Sequence, residues 1–400
     1  MPGILRKAAV MLLLPALFVF CTGCWGKTEL NEIGIVTTTG VDAEPDGSVR
    51  ITVLSIQPEG SPNVPQLRSI TWIGSATGRN LAEAAKNLRS TAVKRLSWLH
   101  NSIIIIGEEA AKSKMEDVID FFARNREIRF SSHVLVAGGR ACDMLQTPAS
   151  LQRDLYTEME GMIRNIDDWS KSYVANAKEF LVSYSEHCGD LVTGKIWYRE
   201  EQANTFATAR EDYEKLVLKD RKLPVAFMEG CAVFKLGSFI GWLDASETRG
   251  FLWIMNKVKP GTIISAGKDG DLAMENLFSS TSVDIRPDNG NYRALVKVDV
   301  RGSLMEQTSE ENIRELDALL KAEDGFAEMI KSDMEEAVKK IQKEYNADVF
   351  RFGSQLNRQH PQEWKRVGKD WEGALFSKVR VEYDVEVTIE RTGEIIRSLM

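Results

Sequence analysis

Residue types that carry most protein chemistry are scarce in this chain and poorly spaced. There are four histidines and five cysteines in 400 residues. His187-Cys188 is the one close His–Cys pair. Adjacent side chains face opposite ways on a strand and diverge by ~100° on a helix, so adjacency builds no nucleophile–base dyad. His100, within Trp98-Leu99-His100-Asn101, reads as a strand-edge histidine beside an aromatic, and His133 and His360 stand alone. Gly261 to Gly267-Lys268 superficially resembles a phosphate loop. It has one residue too many between the glycines, and Asp269 stands where a magnesium-binding Ser or Thr belongs, so it reads as a strand and a Gly-Lys-Asp-Gly turn. No Gly-x-Gly-x-x-Gly, His-Glu-x-x-His, Gly-x-Ser-x-Gly or Cys-x-x-Cys occurs. Arg124, Arg126, Glu127 and Arg129 cluster at the end of a predicted helix, where cations complement the helix dipole. Docking to acidic headgroups or a partner's carboxylates is the functional alternative there. No catalytic residue, metal ligand or cofactor is therefore assigned, and the ligand-binding residues stay unknown.

The elements that would position any site follow from periodicity. Residues 33–41 and 49–56 read as strands joined by the turn Glu44-Pro45-Asp46-Gly47. A proline-bearing loop leads to a short strand at 70–73, and Leu81, Ala84, Ala85, Leu88 and Ala92 recur at helical spacing. Ile103 to Ile106 is a buried strand; Met115, Val118, Ile119 and Phe122 form one helix face; residues 133–137 are a further strand. Residues 151–187 read as helical and 195–199 as a strand. Further on, 225–235 and 239–243 form a hairpin around Gly237-Ser238, and 247–256 is a short helix. Residues 283–285 and 292–300 are strands. Thr308 and Glu311 suggest a capping box opening a helix through Ile313, Leu316 and Leu320, interrupted at Gly325 and resumed to Ile341. Val379, Val381, Tyr383, Val385, Val387 and Ile389 alternate with polar residues, the pattern of an antiparallel sheet covered on one side. The expected fold is α+β and multi-domain, with mixed sheets packed against helices and ~2–3 domains on length.

The chain carries 51 Lys and Arg against 58 Asp and Glu, a net charge of −7 that argues against nucleic acid as the main partner. Arg6 and Lys7 precede an apolar run, Ala8 to Phe20, of export-signal length and too short to span a bilayer. Then comes Cys21-Thr22-Gly23-Cys24-Trp25, which resembles a bacterial lipoprotein signal, although an aliphatic residue is usual where Cys21 stands. The resemblance implies cleavage between Gly23 and Cys24, with Cys24 carrying S-diacylglycerol and an N-acyl chain. Two or three chains at ~0.8 kcal/mol per buried methylene anchor a protein essentially permanently. Ordinary secretion and an uncleaved signal anchor are the alternatives. Cys142, Cys188 and Cys231 then remain, read as free and mostly buried thiols. The expected organisation is a signal peptide at 1–23, an α/β region at 24–200 with up to two subdomains, a linker at 201–223 and a second α/β domain at 224–400.

A set of fragments in fixed order resembles the Ger(x)C lipoproteins, the C subunits of bacterial spore germinant receptors. It comprises Gly23-Cys24-Trp25-Gly26-Lys27-Thr28-Glu29-Leu30-Asn31, Gly40-Val41-Asp42, Trp98-Leu99-His100-Asn101 leading into the isoleucine run, Phe121-Phe122-Ala123-Arg124 and Arg126-Glu127-Ile128-Arg129. It continues with Gly230-Cys231-Ala232-Val233-Phe234-Lys235, Gly241-Trp242-Leu243, Glu247-Thr248-Arg249-Gly250, Asp348-Val349-Phe350-Arg351-Phe352-Gly353, Trp364 and Trp371. Leu236-Gly237-Ser238 departs from the polar turn more usual in the family. The resemblance implies a fold of three mixed α/β domains and a non-enzymatic subunit, tethered to the outer face of the spore's inner membrane and working with an A and a B subunit. It supplies no catalytic or germinant-contacting residues. Two other classes stay open: an extracytoplasmic solute-binding lipoprotein, which requires a cleft between lobes, and a lipid-anchored hydrolase.

Overall fold

The computed structural model describes residues 32–57, 70–149, 154–185, 189–202, 222–267, 270–308, 312–313 and 315–392. Nine strands form the first sheet. β1 (Ile33–Ala43), β2 (Val49–Gln57) and β3 (Ile70–Gly78) are an antiparallel meander at one end, and β4 (Arg95–Ser97) pairs with the start of β1. Next to β1 run β5 (Ile103–Ile106), β6 (His133–Ala137) and β7 (Leu191–Gln202), all parallel to it. β8 (Lys222–Lys235) and β9 (Ser238–Leu243) close the other end as an antiparallel hairpin.

Parallel connections place helices on both faces, and the isoleucine run shows the consequence. Ile104 and Ile106 join a core with α1 (Leu81–Leu88), α2 (Glu108–Ser113) and α3 (Met115–Arg124). Ile103 and Ile105 enter a core on the opposite face with α4 (Ala141–Gln146) and α5 (Leu155–Arg164). Four consecutive apolar residues are needed because neither face meets water.

The second sheet holds β10 (Gly261–Gly267), β11 (Gly270–Asp288), β12 (Asn291–Gln307) and β13 (Arg380–Arg391) in that order. Its inner face packs on α7 (Ala245–Ile254), α8 (Leu316–Val338) and α9 (Phe352–Gln359); α6 (Ala177–Ser185) belongs to the first unit, and α10 (Pro361–Val367) follows α9. The outer face carries ion pairs, including Arg293–Glu382 and Lys297–Asp384 across β12 and β13.

Several expectations change. The strand pairing passes the boundary expected at 224: β8 belongs to the first sheet, its Ala232 and Phe234 facing that unit's core and its Cys231 and Val233 the core of the second sheet. Most of the expected linker, 203–221, lies outside the described residues. The helical stretch expected over 151–187 is two helices, α5 and α6, with the segment between them docked against β6 through Asn176. β11 is 19 residues long, so the strand expected at 283–285 extends back to Gly270, with register shifts near Met274 and Phe278. Thr308 does not cap a helix; its hydroxyl accepts from the Asp271 backbone N–H at 2.7 Å, and α8 starts only at Leu316. Gly325 sits inside α8 without interrupting it, because a single glycine lowers helix stability without breaking its hydrogen bonds.

β13 runs parallel to β12, not antiparallel. Alternation reports which way side chains face, not which way the neighbouring strand runs. Val387 and Ile389 are buried, whereas Val381 and Val385, expected in the core, are only half-buried at the sheet edge. Val387→Asp should therefore cost about 3 kcal/mol or more by burying an unpaired carboxylate, while Glu386→Lys on the wet face should change stability by less than about 0.5 kcal/mol. Denaturant melts of both variants check the register, and the reverse ranking would place it one residue off.

Candidate functional site

The residues singled out for chemistry do not converge. His100 is exposed in a turn beyond the buried Trp98, so it is not packed at a strand edge. His133 opens β6 with Nδ1 buried and unpaired, and burial lowers its pKa. His360 sits at the junction of α9 and α10. Gly261 to Gly267 is a strand hydrogen-bonded to β11, with no helix behind it to receive a phosphate. Cys142 and Cys231 are buried and free, and burial pushes their thiols up to about 11 and about 12, which makes them poor nucleophiles. Among the described residues no group of three or more His, Cys, Asp or Glu is placed to hold a metal. Arg124 pairs with Asp120 at 2.7 Å, and Glu127 accepts from the Trp98 backbone N–H at 3.1 Å. Gly23, Cys24, His187 and Cys188 lie outside the described residues.

The structure instead turns the sequence motifs into joints built on buried carboxylates. Asp42, at the end of β1, accepts from the Ala141 N–H at 2.7 Å and the Cys142 N–H at 2.9 Å, so it holds the first turn of α4. Asn101 takes the Thr39 hydroxyl at 2.7 Å across the β1–β5 pair. Arg249 on α7 forks onto Asp333 of α8 through Nε at 2.5 Å and Nη2 at 2.9 Å. Asp244 and Glu247 close a capping box at the start of α7.

Asp348 is the densest of these joints. Its Oδ1 accepts from the Phe352 N–H at 2.8 Å, and its Oδ2 from the Gly353 N–H at 2.7 Å and the Trp371 indole N–H at 2.8 Å. Its own backbone N–H donates to Oδ2 of Asp190 at 2.6 Å, and Oδ1 of Asp190 accepts from the Leu236 N–H at 3.2 Å. One carboxylate thus starts α9 and pins Trp371, and the next ties that corner to the β8–β9 turn. Burial is the dominant influence on Asp348 and raises it to about 7, against three N–H donors that favour the ionised form.

The sign of the pH dependence follows. Folded Asp348 holds its proton up to about pH 7, whereas in the unfolded chain it loses it near 3.8, so stability falls as pH rises across that window. His133 works oppositely: its folded pKa is lowered below 6.5, so its contribution is lost as pH falls. Wild-type Tm should be higher at pH 5.5 than at 7.5. Asp348→Asn should lower Tm throughout, because an amide cannot accept on both sides, and should flatten the fall in stability toward pH 7.5. Thermal melts from pH 5 to 8 check this; parallel profiles for the two proteins would remove Asp348 as the cause.

Beside this joint a cleft of about 540 Å³ opens between the first unit and the second. Lys257, after α7, lies over the Tyr173 ring at 3.8 Å and donates to the Tyr173 hydroxyl at 2.5 Å, and that hydroxyl donates to Oε1 of Glu179 at 2.8 Å. Glu179 is fixed by reciprocal bonds with Asn176 at the start of α6, both 3.0 Å. Burial raises the Tyr173 hydroxyl well above its usual range and lowers Lys257, with Arg351 a neighbouring cation to both. Sequence reading missed Tyr173, Glu179, Asp190 and Lys257. They belong to no motif, and Tyr173 and Lys257 are 84 residues apart, so only the folded chain brings them together.

The chain matches a family model described as "Spore germination protein N-terminal domain" over residues 26–196 and one described as "Spore germination B3/ GerAC like, C-terminal" over residues 229–393. These define its class as a spore germination protein with both characteristic parts. The chain belongs to the Ger(x)C family. In Bacillus subtilis (strain 168), Spore germination protein KC is 25% identical over 411 residues, covering 97% of this chain and 96% of its own. Spore germination protein B3 of the same organism is 23% identical over 399 residues, covering 97% and 98%. The fold is similar to the crystal structure of the GerBC protein, with TM-score 0.53 and 18% identity over 88% of this chain and 96% of that one.

Proposed function

We propose that this protein is the lipid-anchored C subunit of a nutrient germinant receptor, working without turnover chemistry beside an A and a B subunit on the outer face of the spore's inner membrane. The family match along nearly the whole chain carries the reading. Two features support it. The leader ends in Gly23-Cys24, the arrangement of a lipoprotein signal. No described helix is long and apolar enough to cross a membrane, so a lipid on Cys24 would supply the attachment. The buried carboxylates are occupied by backbone N–H groups and by Arg249, which suits scaffolding better than proton transfer.

The test is affinity capture of the tagged full-length protein from detergent-solubilised spore membranes, with mass spectrometry of what comes with it. Two membrane proteins of the A and B types are expected, together with loss of nutrient-triggered germination when the gene is deleted. Capture of the chain alone, or unaltered germination of the deletion strain, would refute the receptor role.

A further inference from the structure

The interlobe cleft is lined by three cations, Lys178, Lys257 and Arg351, against two carboxylates, Glu179 and Asp190. Lys257 is engaged by Tyr173 as described. Arg351 is exposed and lines both this cleft and a neighbouring one against α9, and among the described residues its guanidinium makes no hydrogen bond or ion pair. Its backbone is unusual too. With φ 58° and ψ 35°, it lies in the left-handed region that glycine enters freely and a long side chain enters at a cost. The Asp348 joint imposes this: the chain must reverse between Asp348 and Phe352 for one carboxylate to take the next N–H groups, and the Arg351 N–H itself donates to the Asp348 carbonyl at 3.0 Å. A non-glycine residue held in this backbone region, with its guanidinium unpaired and Lys257 lining the same cleft, is a combination that an anionic ligand would complete.

We propose that this cleft binds a small monocarboxylate with an apolar body, its carboxylate held between Arg351 and Lys257. The planar fork of arginine matches a carboxylate, and the Lys257 ammonium supplies a second donor. Behind them Val192, Phe251 and Val349 are buried and apolar, a floor for a hydrocarbon group. The volume of about 540 Å³ lies in the range of small-molecule sites. Glu179 and Asp190 stand on the walls, and their charge opposes a dianion such as sulfate or phosphate more strongly than a monocarboxylate. The inference goes beyond the receptor reading and stands or falls separately from it, since it concerns direct binding by the isolated chain.

The test uses purified full-length protein in detergent, with phenylacetate, acetate and sulfate as sodium salts at matched ionic strength, read by calorimetry and thermal shift. Saturable phenylacetate binding is expected, at least tenfold tighter than acetate, with no sulfate binding. Arg351→Gly should raise the melting temperature of the free protein, because glycine suits that backbone, yet weaken phenylacetate at least tenfold. Lys257→Met, which keeps the packing of the aliphatic stem, should weaken it comparably. Absence of saturable phenylacetate binding by the wild type, binding of sulfate as tight as phenylacetate, or unchanged affinity in Arg351→Gly would overturn the proposal.

Discussion

Gly250→Val is expected to abolish the soluble, folded protein. Gly250 lies in α7 where that helix crosses α8, and any Cβ there would overlap the backbone carbonyl of Asp333 and crowd the Ala337 methyl. A side chain in the way could rotate aside; a carbonyl inside a 23-residue helix cannot. The same turn of α7 carries Arg249, whose two bonds to Asp333 require the helices at this distance, so separating them also strands a carboxylate that is nearly fully buried. Overpacking alone costs ~1–3 kcal/mol, and breaking a buried ion pair costs ~3–5 kcal/mol. Domains of ordinary stability, ~5–15 kcal/mol, do not comfortably survive the combination. Gly161→Ala is the control. Gly161 is inside α5 with nothing within 4 Å of an added Cβ, so alanine there should stabilise by about 0.5–1 kcal/mol. Soluble yield and Tm of the two variants measure the contrast. A Gly250→Val protein that melted like wild type would mean α7 and α8 do not pack as closely as this crossing requires.

How much of this was legible beforehand depends on the range of the interaction. Short-range patterning was readable: the isoleucine run of β5, the β8–β9 hairpin and the alternation of β13 all lie where periodicity puts them. Pairing direction was not, because β13 presents the same wet and dry faces beside a parallel neighbour as beside an antiparallel one. Helix ends were misplaced where a side chain had a better distant partner, as Thr308 has in the Asp271 backbone. The family fragments were readable as strings but not as structure. Arg249 and Asp42 act through Asp333 and Ala141, more than 80 residues away, and Asp348 adds Trp371 and the Asp190 carboxylate to its local bonds with Phe352 and Gly353. The cleft was the least legible part, because Tyr173, Lys257 and Arg351 come from separate segments that no local pattern connects.

Cys24→Ala should release the protein from the membrane and impair germination while leaving the fold intact. The argument begins with what the rest of the chain offers a bilayer. The net charge is −7, which an anionic membrane surface repels, and the described helices include none able to span. A diacylglycerol thioether and an N-acyl chain on Cys24 would then supply nearly all of the membrane affinity, at ~0.8 kcal/mol per buried methylene. Folding should be untouched, because the packed units are built from residues that begin at Ile33. The functional loss would come through concentration. A tether would hold the proposed subunit in a thin layer beside membrane partners, and cutting it would remove an effective concentration of order millimolar without removing a single contact. The alanine variant would also escape lipoprotein signal peptidase, so a retained leader, with Arg6 and Lys7 ahead of its apolar run, could keep part of it at the membrane. Intact mass separates the cleaved and uncleaved forms. Spore fractionation with fatty-acid labelling should then show the label lost, the cleaved form soluble, and germination reduced in proportion to the protein released. Normal germination by fully soluble, unacylated protein would show that contacts between subunits suffice to hold the receptor together.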